Sequence, residues 1–575
     1  MTTEICGAGD VTAESMPAAR RTPRLACPAV RPLGEVFRPI ARRAVAVAET
    51  RQGAVGVFLA ALAVWWLEAL VIPLAQGRDF ATYLGAYVEL FQSNPVDLGY
   101  VLDRTPLATL FIGGTLDVAR GELAEPAVSL LYAGSITAWF LAGRSFGGRV
   151  ALPVAVVLLA WPGYGILFHE LSSDAASAAA FAGWSLLVVR VLRAPTPRRL
   201  ALVGVGLGAL ALVRPGNIAL VVLAVIPLLS RAPWRTRVLS AAAFVLPAVA
   251  IAGAWAIHNG VRYGDYTLAR GGNATVPFYR TFVTDKIVRP SNGPASRELA
   301  QAVQRDLLPK EPYRSYGITL HDFFWEASPR MQADLLALSD RIKGWHSDHR
   351  WLREVGLEAV RAHPPEYARG VATSVWELLR QPVYRPLGSG EGSATTGGTG
   401  SGAVATTTVG RRLPKPTEGE PIPAPHEGGV TTPDGSIYTV WTSPTQHHLV
   451  FVHPGQERRY VALHRRMNEL ASRLPDRNGN ATLALRFNQA ARWYPPAALW
   501  LVLGLVGLAV RPPSGARALA TPAVAAFVVI VLSALGLPAE PHYSMPVAPA
   551  FLLLAAGALL GKRRDPWSGS DTVLR

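Results

Sequence analysis

Three groups of polar residues interrupt an otherwise apolar chain, and each has the makings of a reaction site. The first is Asp79, in Gly77-Arg78-Asp79-Phe80, directly after an apolar run over residues 53–75. A carboxylate where a helix leaves a bilayer is costly unless it pairs, meets water or does chemistry. Asp79 therefore has two readings: a general base that takes a proton from an attacking hydroxyl, or a partner in an ion pair with Arg78. Asp97 and Asp103 lie in the same loop and are the reserves for the base role. The second group is His169-Glu170 with Asp174. The spacing from Glu170 to Asp174 predicts both carboxylates on one helix face. That cluster can bind an acceptor, a sugar or a divalent cation (Mg or Mn), or can serve as a helix cap through Ser172, Ser173 or Asp174. A metal site of His169 with carboxylates has no diagnostic spacing, so no metal ligand is assigned. The third is Arg214, alone between two apolar runs in Val213-Arg214-Pro215-Gly216. Its guanidinium suits two-pronged phosphate binding, and Pro215 predicts a helix start that also attracts anions. The alternative is an interfacial anchor.

The elements that must position these residues are membrane helices. Of the 575 residues, 50% are hydrophobic and 17% charged, against roughly 25% charged in soluble proteins. Runs of spanning length occur near residues 54–75, 126–143, 150–167, 175–192, 199–213, 215–230, 238–257, 495–511, 519–537 and 545–561. The run over 106–118, which contains Gly113-Gly114, is shorter and reads as a juxtamembrane or re-entrant helix. With it left out of the count, the basic connectors 144–149, 193–199, 231–237, 511–517 and 562–564 all fall on the side of the Arg-rich N-terminal tail. The positive-inside rule makes that side cytoplasmic, with both termini inside. The excess of basic residues, +16 net, then sets topology rather than binding nucleic acid. Cys6 and Cys27 are the only cysteines, both in the tail, so no disulfide framework is encoded. The tail carries no cleavable signal, and the first span serves as the targeting signal.

The expected fold is an α-helical multispan membrane protein of about ten transmembrane helices plus juxtamembrane helices. It divides into a cytoplasmic basic tail (1–53), an N-terminal transmembrane module (54–257) with outer loop 76–125, an extracytoplasmic insertion (258–494), C-terminal transmembrane helices (495–564) and a cytoplasmic tail (565–575). Within the insertion, 296–383 shows helical periodicity and 437–494 regains apolar and aromatic content. Residues 387–436 are rich in Gly, Ser, Thr and Pro and read as a flexible loop. No internal repeat is visible. Asn273-Ala274-Thr275 and Asn480-Ala481-Thr482 match a glycosylation pattern too common to assign.

The outer segments together carry a resemblance. Asp79 with Tyr83, then Thr105-Pro106-Leu107, then His258-Asn259 with Arg262-Tyr263-Gly264, then Glu540-Pro541-His542-Tyr543 with Pro546 and Pro549, follow one another in the order of motifs in GT-C fold glycosyltransferases. More narrowly the chain resembles bacterial relatives of protein O-mannosyltransferases and lipid A aminoarabinose transferases. His363-Pro364-Pro365-Glu366-Tyr367 is similar to a helix of their soluble part. The chain departs from the pattern with Thr105 where Pro is usual and His542 where Arg is usual. The resemblance implies a polyprenyl-phosphate sugar donor, inversion at the anomeric centre, and a glycan or glycolipid acceptor at the outer face of the plasma membrane, with mannosyl and arabinosyl types both open. It places Asp79 as catalytic base. Arg214, Arg262, Arg270 and His542 are candidates for the donor phosphate, and Tyr83, His169, Glu170, Asp174, His258, Asn259, Glu540 and Tyr543 for acceptor or sugar. The alternatives are a transporter or flippase of lipid-linked sugars, which would show paired halves, and a non-enzymatic membrane assembly protein.

Overall fold

The apolar runs become helices because each holds about 12 to 20 uncharged residues, enough to satisfy the backbone internally. The computed structural model describes residues 42–272, 275–381, 436–443, 446–475 and 479–562. The N-terminal tail with Cys6 and Cys27, nearly all of the loop 387–436 and the C-terminal tail lie outside those residues.

The membrane part opens with α1 (Arg51–Ala69), capped by Thr50, and a two-residue strand β1 (Ala75–Gln76). Two short helices follow, α2 (Phe80–Leu90) and α3 (Leu98–Leu102), and then α4 (Pro106–Asp117). The chain continues through α5 (Ala124–Arg144), α6 (Gly148–Leu159), α7 (Pro162–Leu167), strand β2 (Glu170–Leu171), α8 (Ser173–Arg193) and α9 (Pro197–Val213). A 3₁₀ segment (Pro215–Ala224) leads into α10 (Val225–Leu228) and the long α11 (Trp234–Tyr263). Among the described residues, five helices are long and apolar enough to cross a membrane: α1, α5, α8, α11 and one near the C-terminus, Ala516–Gly536. The other runs give shorter apolar helices. Prolines account for much of that, since Pro162 divides the 150–167 run and Pro215 starts a 3₁₀ rather than an α segment. The chain is thus a helical membrane protein. The 106–118 run is α4, a 12-residue helix that is not of spanning length.

A second layer has its own apolar core, built on Phe278, Phe282, Leu299, Phe323, Leu335 and Val355. It comprises a kinked segment (Thr275–Thr284) and α12 (Pro294–Asp306), α13 (Tyr313–Tyr316), α14 (Leu320–Trp325), α15 (Pro329–Lys343) and α16 (Arg350–Ala362). The last helix of this layer, α17 (Pro364–Arg380), reaches back to the membrane part. Tyr367 donates to the Leu535 carbonyl at 3.0 Å, and buried Arg280 bonds Asp285, Ser374 and the Ala534 carbonyl. An antiparallel hairpin, β3 (Ile437–Ser443) with β4 (Gln446–Phe451), precedes α18 (Gln456–Ala471) and α19 (Ala481–Ala491). Arg466 and Arg473 of this stretch both grip Asp117, at 2.6 and 3.0 Å, and so tie it to the end of α4.

The C-terminal helices are α20 (Ala497–Val510), α21 (Ala516–Gly536), the single turn α22 (Pro541–Ser544) and α23 (Pro549–Leu560). Every residue of α23 from Pro549 to Ala558 is buried, which makes it a central helix of the bundle. Small residues permit the close crossings expected where lipid supplies no hydrophobic drive. A Cβ on Gly204 of α9, for instance, would run into the backbone of Phe244 on α11.

Candidate functional site

The site is built where five helix ends meet. The loop after α1 is held by a parallel ladder in which Ala75 pairs with Glu170 and Gln76 with Leu171, and the Ala75 N–H donates to the His169 carbonyl at 2.9 Å. Gly77 then passes so close to Ser172 that a Cβ there would meet the Leu171 carbonyl at 2.9 Å. The chain reverses at Asp79, whose left-handed backbone (φ 56°, ψ 20°) is a conformation that Asp tolerates better than most residues. Asp79 thereby sits at the start of α2 with its carboxylate 3.1 Å from Arg104.

Arg104, which sequence reasoning passed over, is the partner of Asp79. Arg78 turns instead to Glu540. The Arg104 guanidinium also lies 5.2 Å from the centroid of Tyr83, one turn into α2. Thr105, standing where the resembled motif has Pro, donates its hydroxyl to the Val213 carbonyl at 3.2 Å. That bond ties the Arg104 loop to the backbone next to Arg214. A signal for Arg104 was present: it is a cation two residues before the Pro that starts an apolar helix, much as Arg214 directly precedes Pro215.

Arg214 pairs with Asp174 and donates to the His542 carbonyl at 3.4 Å. His542 approaches Glu540 at 3.4 Å through Nδ1 and lies against Tyr543 with ring centroids 3.8 Å apart and the planes tilted by 46°. Burial, and next the positive charge of Arg78 and Arg214, holds the His542 imidazole well below its ordinary range, which favours the neutral ring. Burial also raises the Tyr543 phenol, with Glu540 adding to it and Asp79 contributing in the same direction. Tyr279 joins from the second layer, its phenol raised by burial and by Glu540. Three arginines (78, 104, 214) thus face three carboxylates (Glu540, Asp79, Asp174) in one cluster. A guanidinium offers five donors, so each can hold its carboxylate and still bind a phosphate oxygen.

The second polar group departs from the predicted helix face. Ser172, with extended backbone, accepts from the Ala175 N–H at 3.3 Å and starts α8. Glu170 therefore lies in β2 and only Asp174 in the helix, because the cap ends the extended segment between them. His169 is buried, stacked on Trp65 at 4.9 Å and 3.4 Å from Glu68, a carboxylate near the end of α1 that the sequence reading did not single out.

The remaining candidates sit elsewhere. Arg270 is buried in the second layer, bonded to Asp340 at 2.6 Å and the Trp345 carbonyl at 2.9 Å, with His349 at 3.0 Å. Burial and then Arg270 push His349 down to about 3. Asp103 lies within electrostatic reach of both Arg104 and Arg270. Asp97 caps α3 by accepting from the Gly99 N–H at 2.8 Å, and burial pushes its carboxyl up to about 7. Asn259 is buried and donates to the Thr267 carbonyl at 3.0 Å. His258 stacks on Trp255, and Arg262 donates to the Gln92 carbonyl at 2.6 Å. Among the described residues no three His, Cys, Asp or Glu side chains converge on a metal.

No family model, curated protein or solved structure matches this chain. What the molecule itself presents is the cluster of paired arginines and carboxylates. It offers a carboxylate aimed by an arginine, further guanidinium groups within the same charge network, and a buried neutral imidazole with a phenol against it. Such a set can take a proton from a hydroxyl and stabilise a departing oxyanion.

Proposed function

We propose that this chain is an inverting glycosyltransferase of the GT-C type. In this reading about ten helices span the plasma membrane, and the enzyme moves a sugar from a polyprenyl phosphate to a glycan or glycolipid outside the cytoplasm. The observation that carries the proposal is the pairing of Asp79 with Arg104 inside a network that also holds Arg78 and Arg214. The basic residues Arg144, Arg193 and Lys562 line a separate depression with Glu49, in keeping with a cytoplasmic face opposite the site.

In this reading Asp79 takes the proton of the acceptor hydroxyl as its oxygen attacks the anomeric carbon. The bond from that carbon to the phosphate oxygen breaks, and the electron pair leaves with the lipid phosphate. Arg214 and Arg78 receive the developing charge. Tyr543 and Tyr83 flank the sugar, and His542 supports Glu540 and Tyr543. The test is incubation of the purified protein with radiolabelled polyprenyl-phosphate mannose and arabinose and a cell-wall glycan extract. Transfer that depends on Asp79 supports the proposal. No transfer from any polyprenyl-phosphate sugar, with donor binding also absent, overturns it.

A further inference from the structure

A groove of about 380 Å³ lies apart from the Asp79 cluster, between the end of α2, the start of α4 and the last turns of α11. It is lined by the apolar Leu90, Phe91, Pro106 and Leu110, by Trp255, and by the polar His258 and Arg262. It shares no lining residue with the paired arginines and carboxylates of the site.

Its depth follows from helix length. α11 has 30 residues, about 45 Å at 1.5 Å per residue, against a hydrocarbon core of about 30 Å. The last two turns, which carry His258 and Arg262, therefore emerge at headgroup level when the first turn sits at the opposite interface. Phe91 and Leu110 of the groove are exposed, as are Ile257 and Val261, which precede His258 and Arg262 on α11, the pattern of a surface that meets lipid.

Among the described residues, the charge of Arg262 has no carboxylate partner. Arg78, Arg104, Arg214, Arg270 and Arg280 each have a carboxylate within ion-pair distance. Arg262 touches only the Gln92 carbonyl and the Tyr263 hydroxyl and ring, and no carboxylate pairs with it among the described residues. The Trp255 indole N–H has no acceptor there either. A cation at headgroup depth over an apolar trough is complementary to a phosphate carrying a hydrocarbon chain.

We propose that this groove binds an anionic phospholipid of the surrounding bilayer. Its phosphate rests on Arg262 and His258, and the first segment of one acyl chain lies along Leu90, Phe91 and Leu110. The site is distinct from that of the sugar donor and does not rest on the glycosyltransferase reading. A resident lipid here would brace α2 and α4, the two helices that follow Asp79 and Arg104.

The test uses the purified full-length protein in detergent, titrated with phosphatidylglycerol or phosphatidylcholine and followed by native mass spectrometry and thermal unfolding. Phosphatidylglycerol should be retained and should raise the unfolding temperature more than phosphatidylcholine. Arg262→Gln should weaken phosphatidylglycerol about tenfold, the scale of one charged hydrogen-bonded contact, and weaken phosphatidylcholine, whose choline cation already offsets its phosphate, by less. Arg262→Lys should fall between. Should Arg262→Gln fail to fold, His258→Ala and Arg262→Lys carry the same comparison. Equal retention of the two lipids, or unchanged phosphatidylglycerol affinity in these variants, overturns the proposal. So does competitive displacement of phosphatidylglycerol by polyprenyl phosphate, which would make the groove the track of the donor chain.

Discussion

Replacing Asp79 by Asn separates chemistry from architecture. The backbone at Asp79 is left-handed, and Asn shares the tolerance of Asp for that region, whereas Ala would add roughly 1–2 kcal/mol of strain. The ion pair with Arg104 is lost, and since both side chains are 27% exposed the cost in stability falls between the roughly 0–1 kcal/mol of a surface pair and the roughly 3–5 kcal/mol of breaking a fully buried one. A general base typically contributes about 10²–10⁴ in rate, equivalent to roughly 3–5 kcal/mol in the barrier. Asp79→Asn should therefore fold normally and bind donor while losing at least about a hundredfold in transfer. The assay is single-turnover transfer of a radiolabelled sugar from its polyprenyl phosphate, with thermal unfolding and donor titration on the same preparation. Turnover close to that of the unmodified protein would refute the reasoning and reduce Asp79 to a loop carboxylate paired with Arg104. Asp103, next to Arg104 in the chain, would then be tested as the base.

Arg214→Lys should weaken donor affinity and rate, because Lys lacks the planar two-pronged geometry, and calorimetric donor titration measures it. Arg214→Ala is predicted to lose about 3–5 kcal/mol of stability as well, since it withdraws the cation from a carboxylate that is only 2% exposed; an unchanged unfolding temperature would show the pair to be energetically idle. Burial raises the Asp97 carboxyl from 3.8 to about 7, so the folded state holds its proton more tightly than the unfolded chain. Its contribution to stability is present below pH 4 and is lost as pH rises through 7. Asp97→Asn keeps an acceptor for Gly99 and should flatten that dependence, gaining on the order of 4 kcal/mol at most relative to the parent at pH 8; parallel pH–stability curves would contradict this. A topology reporter after Arg235 should report the cytoplasm and one inserted near Gly400 the outside, and the reverse result would place the Asp79 cluster on the inner face.

The sequence by itself determined that this is a helical membrane protein and where most of its helices lie. Length and apolarity of a run decide whether a backbone can satisfy itself in hydrocarbon, and both are read residue by residue. The same reading picked out Asp79, Arg214, Glu540 and His542 as polar residues in unfavourable places, which is a local property. Which of them meet was decided by tertiary structure alone. Arg78 adjoins Asp79 in the chain, yet Asp79 pairs with Arg104, 25 residues on, and Arg78 with Glu540 near the other end of the chain. Spacing predicted Glu170 and Asp174 on one face, but spacing constrains contacts only within one helix, and the Ser172 cap begins α8 between them. In the sequence, Arg270 and Arg262 carry the same guanidinium as Arg214 and are candidates for the same phosphate. Packing sends Arg270 to Asp340 in the second layer and Arg262 to a groove lined by Leu90, Phe91 and Trp255. Residue type states what a side chain can do, and the crossing of helices far apart in the chain decides which partner it does it with.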